Sequence, residues 1–251
     1  MKLILSRKGV DGGAGRCASP IVNGEPISLP IPEHHAGRTT TTYRMIGKAD
    51  LIERATGGRY TGDALCHEDP MFGDSICAFG QAGSAQSHLA SHRVGPGDVF
   101  LFFGLFSDED GRNRHHRVFG YLQVAQVIPL GPHPDAWQSP QGLPRAHPHV
   151  VGDWTDAKNN TLYVGEGRRA WQAPDNLRLT ADAKQISVWN VPPWFKTVGL
   201  SYHANPVRWL EGDQLRSVGR GQEFVAPVTT HEARVWVAQI IETINRQVLL
   251  P

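Results

Sequence analysis

One segment of the sequence constrains the fold more than any other. Residues 98–106 read Asp-Val-Phe-Leu-Phe-Phe-Gly-Leu-Phe, which is an almost continuous apolar run. Such a run is typical of a strand that is covered on both faces. The side chains of a strand alternate between its two faces, and the four phenylalanines fall on both of them. We therefore expect a central strand of the sheet with both faces buried.

A second apolar run follows after a short acidic turn. Residues 107–111 read Ser-Asp-Glu-Asp-Gly, and residues 117–128 are again rich in apolar and β-branched side chains. Two such runs joined by a polar turn predict an antiparallel hairpin. The whole segment 97–128 is similar to the small barrels of the pseudouridine-synthase-and-archaeosine-transglycosylase (PUA/ASCH) type, which often recognise modified bases.

The remaining segments predict an α+β fold. Strands are expected at residues 2–6, 39–46, 161–165 and 186–190, and helices at 49–55, 81–92 and 232–248. Four prolines in residues 18–33 predict a loop or very short strands, and the proline-rich residues 129–148 predict an ordered loop. No repeat or charge run marks a linker. We therefore predict one domain over residues 1–251, with a mixed sheet and long loops rich in proline and glycine.

Composition excludes several classes of protein. The 25 basic and 24 acidic side chains nearly cancel, which excludes binding to nucleic acid or to anionic membranes by bulk charge alone. Cys17, Cys66 and Cys77 are an odd number without metal-binding spacing, which argues against a disulfide scaffold or a cysteine zinc site. No segment approaches the roughly 20 apolar residues of a membrane span. We expect a cytoplasmic protein without a membrane partner.

The first predicted strand ends in polar and charged residues. Ser6, Arg7 and Lys8 are followed by four glycines within residues 9–15. A hydroxyl, two cations and exposed backbone N–H groups can together hold a phosphate or a carboxylate. The simpler alternative is a charged strand end followed by a flexible loop. If the first interpretation is right, these side chains converge with Asp11 on one cleft.

A histidine and an aspartate lie two residues apart in the segment Cys-His-Glu-Asp-Pro. On an extended chain His67 and Asp69 share a face, so they are either an acid/base pair or two metal ligands, unless the segment is an acidic surface turn. A metal site would take its third ligand from His115, His147 or His149. No spacing here is diagnostic of a metal. We therefore assign no metal ligand, and the cofactor stays unidentified.

Aromatic residues accompany basic ones in the second half of the chain. Trp194 follows two prolines, and Tyr202 and His203 precede Arg208. Aromatic rings beside cations can stack a base next to a phosphate-binding group. The alternative is ordinary aromatic packing, which is the more common explanation for any single ring.

Taken in order, the polar motifs are more specific than any one of them. The opening Leu-Ile-Leu-Ser-Arg-Lys-Gly-x-Asp, the His-x-Asp-Pro motif at 67–70 and Gly-Gln-Glu-Phe-Val at 221–225 together resemble the nucleotide modification associated domain 3 family. So do Ser-Pro-Ile at 19–21, the segment 97–104 and the segment 119–124. The resemblance runs over nearly the whole chain. It implies a role in DNA base hypermodification, which is inferred for the family mostly from gene neighbours in phages and bacteria.

The resemblance leaves two kinds of function open. The chain is either an enzyme acting on a modified nucleotide or base in DNA, or a non-catalytic module that recognises a modified base and recruits another DNA-modification or restriction enzyme. In the first case the residues near the chemistry are Asp11, His67 and Asp69. The expected substrate- and phosphate-binding residues are Ser6, Arg7, Lys8, Trp194, Tyr202, His203, Arg208 and Gln222. The base, the reaction and any cosubstrate are not specified by these motifs.

Overall fold

The computed structural model describes residues 1–35 and 37–247. Its strands are β1 (Lys2–Arg7), β2 (Ser19–Val22), β3 (Glu25–Pro26), β4 (Ile31–Pro32), β5 (Cys66–His67), β6 (Met71–Phe72), β7 (Ile76–Gln81), β8 (Val99–Asp108), β9 (His115–Pro129), β10 (Thr161–Arg169), β11 (Val188–Asn190), β12 (Trp209–Leu210), β13 (Gln214–Arg216) and β14 (Glu223–Pro227). Its α-helices are α1 (Ala49–Thr56), α2 (Gly83–Ser91), α3 (Pro148–Val151), α4 (Trp194–Val198) and α5 (His231–Asn245).

The predicted hairpin is confirmed, and its first strand is central. β8 and β9 pair antiparallel, and β8 also pairs in parallel with β1 at one end and with β2 at the other. All four phenylalanines of β8 are 0% exposed, so both faces of this strand are covered. Phe103 packs in one core cluster with α5, whereas Phe100, Phe102 and Phe106 pack in a second cluster on the other face.

One large mixed sheet organises the chain into an α+β fold. Its strand order is β14-β1-β8-β9-β10-β7-β6, and the sheet curls on itself. β1 lies between β8, to which it is parallel, and β14, to which it is antiparallel. The first and the fourteenth strand therefore lie side by side, although about 220 positions separate them in the sequence. A three-stranded sheet, β11-β13-β12, and a two-stranded one, β4-β5, complete the β structure of the described residues.

Several helix predictions agree with the structure. α1 ends at Gly57, whose positive φ of 61° is the left-handed conformation that glycine accommodates. α5 begins after Thr230, whose hydroxyl accepts the N–H of Ala233 at 3.2 Å. It ends at Asn245, so the predicted helix is too long at Arg246 and Gln247, and its predicted last residue, Val248, lies outside the described residues.

Two segments differ from the sequence-based prediction. Residues 39–46 form turns rather than a strand, and only Thr42 makes a single bridge, to Leu65. The β-branched and aromatic composition there reflects burial within a loop, since Tyr43 is 0% exposed and its hydroxyl donates to the Pro30 carbonyl at 2.7 Å. The helix predicted at 81–92 begins only at α2, because Gln81 still belongs to β7.

The described helices do not include a membrane span. None of them combines the length and apolar character that crossing a bilayer requires.

Candidate functional site

A cleft of about 460 Å³ lies where the end of β1 meets β5, the end of β7 and the loop before β14. Its size falls in the range of small-molecule sites. The residues that line it are Arg7, Lys8, Gly9, Asp11, Ala14, Ile31, Glu33, His67, Asp69, Gly80, Gln81, Ala82, His149, Trp154, Gly219, Gly221 and Gln222. The N-terminal motif and the His-x-Asp motif thus meet in one cavity, although 59 residues separate Lys8 from His67.

At one end of the cleft a lysine is neutralised by a buried glutamate. Lys8 Nζ lies 2.9 Å from Glu223 Oε1, and the two side chains are 9% and 1% exposed. Gln81 Nε2 donates to the same carboxylate oxygen at 2.8 Å. The ammonium group also lies 4.2 Å from the centroid of the Phe79 ring. The charge of Lys8 is therefore matched inside the protein before any ligand arrives.

Arg7 is held by neutral groups instead. Its guanidinium donates to the carbonyls of Gly219 at 2.9 Å and Val218 at 2.8 Å. Burial lowers the pKa of Arg7, and the nearby charge of Asp11 acts in the opposite direction. No carboxylate of the described residues forms an ion pair with it, so Arg7 is the cation of this end whose charge is left for a ligand.

The other two members of the N-terminal motif have structural contacts. Asp11 Oδ1 accepts the backbone N–H groups of Gly13 and Ala14, both at 2.7 Å, and so shapes the glycine turn at the cleft wall. Ser6 is 0% exposed and does not line the cleft. Its hydroxyl faces the interior without a hydrogen-bond partner in the described part of the chain.

At the opposite end, Asp69 is surrounded by histidines. Its Oδ1 accepts the Gly80 N–H at 3.0 Å and lies 3.3 Å from His147 Nε2, while Oδ2 lies 3.9 Å from His149 Nε2. Burial raises the pKa of Asp69, but the contact with His147 and the charges of His149 and Lys8 outweigh it and lower the pKa to about 2. Asp69 is therefore a carboxylate at neutral pH.

His149 is fixed in position by three neighbours. Its Nδ1 lies 2.6 Å from Asn160 Oδ1, and its ring stacks on Trp154 with centroids 3.9 Å apart. A Cβ on Gly80 would come within 2.1 Å of the imidazole, so glycine is needed to admit the ring. Burial lowers the pKa of His149 well below its usual value, although the charge of Asp69 opposes the shift.

His67 takes its orientation from Glu33 rather than from Asp69. Its Nδ1 lies 3.5 Å from Glu33 Oε2, and its ring is 5.2 Å from that of His149. Burial raises the pKa of Glu33, but the contact with His67 and two backbone N–H groups, those of His34 and His35, lower it to about 2. The carboxylate beside the His67 ring is therefore that of Glu33, 34 residues earlier in the chain.

Three side chains at this end form a group that could hold a metal ion. His67, Asp69 and His149 each offer one ligand atom, and these atoms lie within 4.8 Å of one another. Of the three histidines considered as a third ligand, His149 belongs to the group and His147 contacts Asp69 from outside it. His115 lies at a different cavity, where its Nε2 is 3.2 Å from Arg117.

The aromatic and basic residues of the second half are not gathered in the cleft. The Trp194 ring stacks on Phe195 in the core and is 7% exposed. His203 is 0% exposed and accepts the Val218 N–H, and Arg208 donates to the carbonyl of Arg216. Tyr202 is exposed and lies beside Gly221 near the cleft rim. Of the residues predicted from this part of the chain, Gln222 lines the cleft.

Sequence reasoning missed several members of the site. Glu33 carried no signal, because a single acidic residue in a loop is common, and Glu223 was given no role although it lies within the motif Gly-Gln-Glu-Phe-Val. His149 was one of the three candidates for a third metal ligand, and the motif His-Pro-His at 147–149 repeats the spacing of His67 and Asp69.

Comparison with protein families identifies the chain. The family model of nucleotide modification associated domain 3 matches residues 2–227. The chain belongs to this family. The matched region includes both ends of the cleft, and the family name implies a role in nucleotide modification. Searches of curated proteins and of solved structures found no match.

Proposed function

We propose that this protein is an enzyme that modifies a base, either in DNA or in a nucleotide, and that the base is bound in the cleft between Arg7 and His67. The observation that carries the proposal is the convergence of the N-terminal motif and the His-x-Asp motif on one cavity of about 460 Å³. Such a volume admits a ligand of nucleotide size. Membership of a nucleotide modification family supplies the substrate class.

Substrate binding is assigned to the end of the cleft near β1. Arg7 has no acidic partner among the described residues and is suited to a phosphate oxygen. The Gln222 amide offers two donors and an acceptor, which suits the polar edge of a base. Lys8 is paired with Glu223, so its proposed role shifts from phosphate binding to holding this end of the cleft in shape.

The chemistry is assigned to the histidine end. His67 has its Nδ1 beside the carboxylate of Glu33 and its ring at the cleft wall, an arrangement that suits an imidazole exchanging a proton with a substrate. Asp69 is ionised and lies on the same wall. Asp11 faces the cleft from the glycine turn and is proposed to contact the substrate there.

The alternative, a non-catalytic reader of modified bases, has less support. A reader of this kind uses exposed aromatic faces to stack a base. Trp154 is the tryptophan of the cleft, and both His149 and the Arg38 guanidinium, 3.8 Å from the ring centroid, already pack on it. Trp194 is in the core. The likeness of β8 and β9 to base-recognising barrels remains compatible with either function.

The test compares turnover with binding. Purified protein is incubated with nucleotides and with DNA carrying natural or modified bases, and products are measured by mass spectrometry of the nucleosides. We expect wild type to change the mass of one base, and His67→Gln and Asp69→Asn to lower the rate by about 100-fold or more. His34→Gln replaces an exposed histidine next to Glu33, keeps the backbone N–H that Glu33 accepts, and is the matched control. Tight binding of a modified base without turnover, unchanged in both variants, would establish the reader instead.

A further inference from the structure

We propose that His67, Asp69 and His149 bind a divalent first-row transition metal ion, with its remaining coordination positions open to the cleft. The ligand atoms of the three side chains already lie within 4.8 Å of one another. Metal bonds to histidine nitrogen and carboxylate oxygen are about 2.0–2.2 Å long, so a bound ion would draw these atoms to about 3 Å from each other.

The hydrogen bonds of His149 leave a lone pair directed at a carboxylate. Asn160 donates its Nδ2 to the His149 carbonyl at 2.9 Å, which identifies Oδ1 as the amide atom facing His149 Nδ1. An amide oxygen only accepts, so Nδ1 carries the hydrogen and Nε2 carries the lone pair. This Nε2 makes no hydrogen bond to any described residue and lies 3.9 Å from Asp69 Oδ2, although the side chain is only 4% exposed. Burying two acceptors that face each other without a partner is costly, and a cation between them would satisfy both.

In Asp69 and His67, too, one polar atom of the side chain is engaged by a neighbour and the other is left for the ion. Asp69 Oδ1 is occupied by the Gly80 N–H, which leaves Oδ2 facing the cluster. His67 has its Nδ1 next to Glu33, so Nε2 is the ring nitrogen left for an ion. The three groups thus present two imidazole nitrogens and one carboxylate oxygen.

Each ligand is supported from behind by a second polar group. Glu33 lies behind His67, and Asn160 lies behind His149. His147 Nδ1 accepts the His149 N–H at 3.2 Å, so its proton is on Nε2, the atom 3.3 Å from Asp69 Oδ1. Such outer groups fix the tautomer and direction of metal ligands in known sites.

The ligand set indicates the class of ion and its role. Two imidazoles and one carboxylate suit iron(II), cobalt(II) or zinc, whereas magnesium and calcium prefer oxygen ligands. Three protein ligands leave positions for water or substrate, which is typical of catalytic rather than structural metals. The role of the ion at the reacting base rests on the proposed function, whereas its binding does not.

Metal binding is measured without turnover. Protein freed of metal with a chelator is titrated with cobalt(II), and visible absorption and calorimetry report coordination and stoichiometry. We expect one ion per chain and a Kd that rises about 100-fold or more in His67→Gln and in His149→Gln. His147→Gln, which changes an outer group, should raise Kd by about 10–100-fold. His34→Gln should stay within about twofold of wild type. Absence of ligand-field bands, or binding equal in wild type and in the ligand variants, overturns the proposal.

Two further measurements keep the test decisive. Because His149 is buried, its variant is checked for folding by circular dichroism, and cobalt(II) is expected to raise the Tm of wild type but not of His67→Gln. Base turnover that persists in wild type with excess chelator would overturn the role of the ion in the reaction while leaving the proposed enzyme intact, and the cobalt titration decides separately whether the site binds metal. Cobalt binding at the three ligands without any turnover would support the metal site and count against the proposed function.

Discussion

The two ends of the cleft differ in how their buried charged groups are compensated. At the end near β1, Lys8 and Glu223 form a buried ion pair 2.9 Å apart, and Gln81 adds a third contact. At the histidine end, Asp69 Oδ2 lies 3.9 Å from His149 Nε2, and no hydrogen-bond donor of the described residues lies between the two atoms. The charges of Lys8 and Glu223 match each other, whereas the two facing acceptors of the histidine end do not.

This difference distinguishes charged groups that stabilise the fold from charged groups that are available to bind a ligand. A buried ion pair adds little net stability, but removing one partner is strongly destabilising because the other charge is left unpaired. Groups that are buried and left facing one another without a cation cost stability, and proteins keep such groups mainly at functional sites. The Lys8–Glu223 pair therefore stabilises the cleft near β1, and catalysis is expected at the histidine end.

The largest loss of stability is expected from Lys8→Met. The substitution leaves Glu223 buried without a cation, and the free energy of unfolding should fall by about 3–5 kcal/mol. Adding Glu223→Gln should recover more than half of the loss, because the double variant buries no unpaired charge. Asp63→Asn breaks the exposed pair with Arg44 and should cost far less than Lys8→Met, because solvent screens exposed charges. Urea unfolding measures all four proteins, and a loss in Lys8→Met no larger than in Asp63→Asn would mean that this end is not held by its ion pair.

An intermediate loss is expected at the histidine end from Gly80→Ala. The added Cβ would meet the His149 ring at 2.1 Å, so the imidazole must move away from Asp69. We expect a loss of about 1–3 kcal/mol, as for other overpacked sites, and loss of activity with it. Gly95→Ala is the matched control, since a Cβ there meets nothing within 4 Å. Activity equal to wild type in Gly80→Ala would show that the position of His149 does not matter to the site.

The smallest effect is a gain in stability, and it concerns Lys48, a cation that has no acidic partner among the described residues. Lys48 Nζ donates to the Ser28 carbonyl at 2.7 Å in a cavity behind Asp69, and burial lowers the pKa of Lys48 to about 8 although the charge of Glu68 opposes the shift. Since this pKa is below that of the unfolded chain, about 10.4, the charged form costs stability below pH 8 and the cost disappears as the pH rises toward 10.

Lys48→Met should therefore raise the free energy of unfolding by about 1 kcal/mol at pH 7. The advantage over wild type should shrink between pH 8 and pH 10, as followed by urea unfolding at each pH. Lys158→Met removes an exposed lysine and should show no such trend. A gain in Lys48→Met that does not change with pH would mean that apolar packing, not the buried charge, explains it.

The fold was more predictable from the sequence than the site was. The apolar runs of β8 and β9 are local patterns, and both strands and their pairing were confirmed. Residues 39–46 were predicted wrongly because burial in a loop selects the same side chains as a strand does.

Site prediction failed where distant partners decide the geometry. The sequence placed His67 and Asp69 side by side and offered three histidines as further ligands, but it did not show that Glu33 faces His67 or which histidine faces Asp69. Likewise, the partner of Lys8 is 215 residues away along the chain. A motif indicates which groups are available, whereas tertiary contacts determine which of them interact.

The position of β1 between β8 and β14 also determines when, during translation, this part of the sheet can be completed. Leu3 has its strand partners at Val99 and Ala226, so the first strand leaves the ribosome long before its second neighbour exists. At about 5–20 residues per second, that interval lasts roughly 10–45 seconds. During this time the β14-facing edge of the apolar strand β1 is unpaired, and the Arg7 N–H lacks the Gln222 carbonyl to which it donates in the folded protein. The cleft is therefore completed only after nearly the whole matched region has been translated, because Gly219, Gly221 and Gln222 form part of its wall.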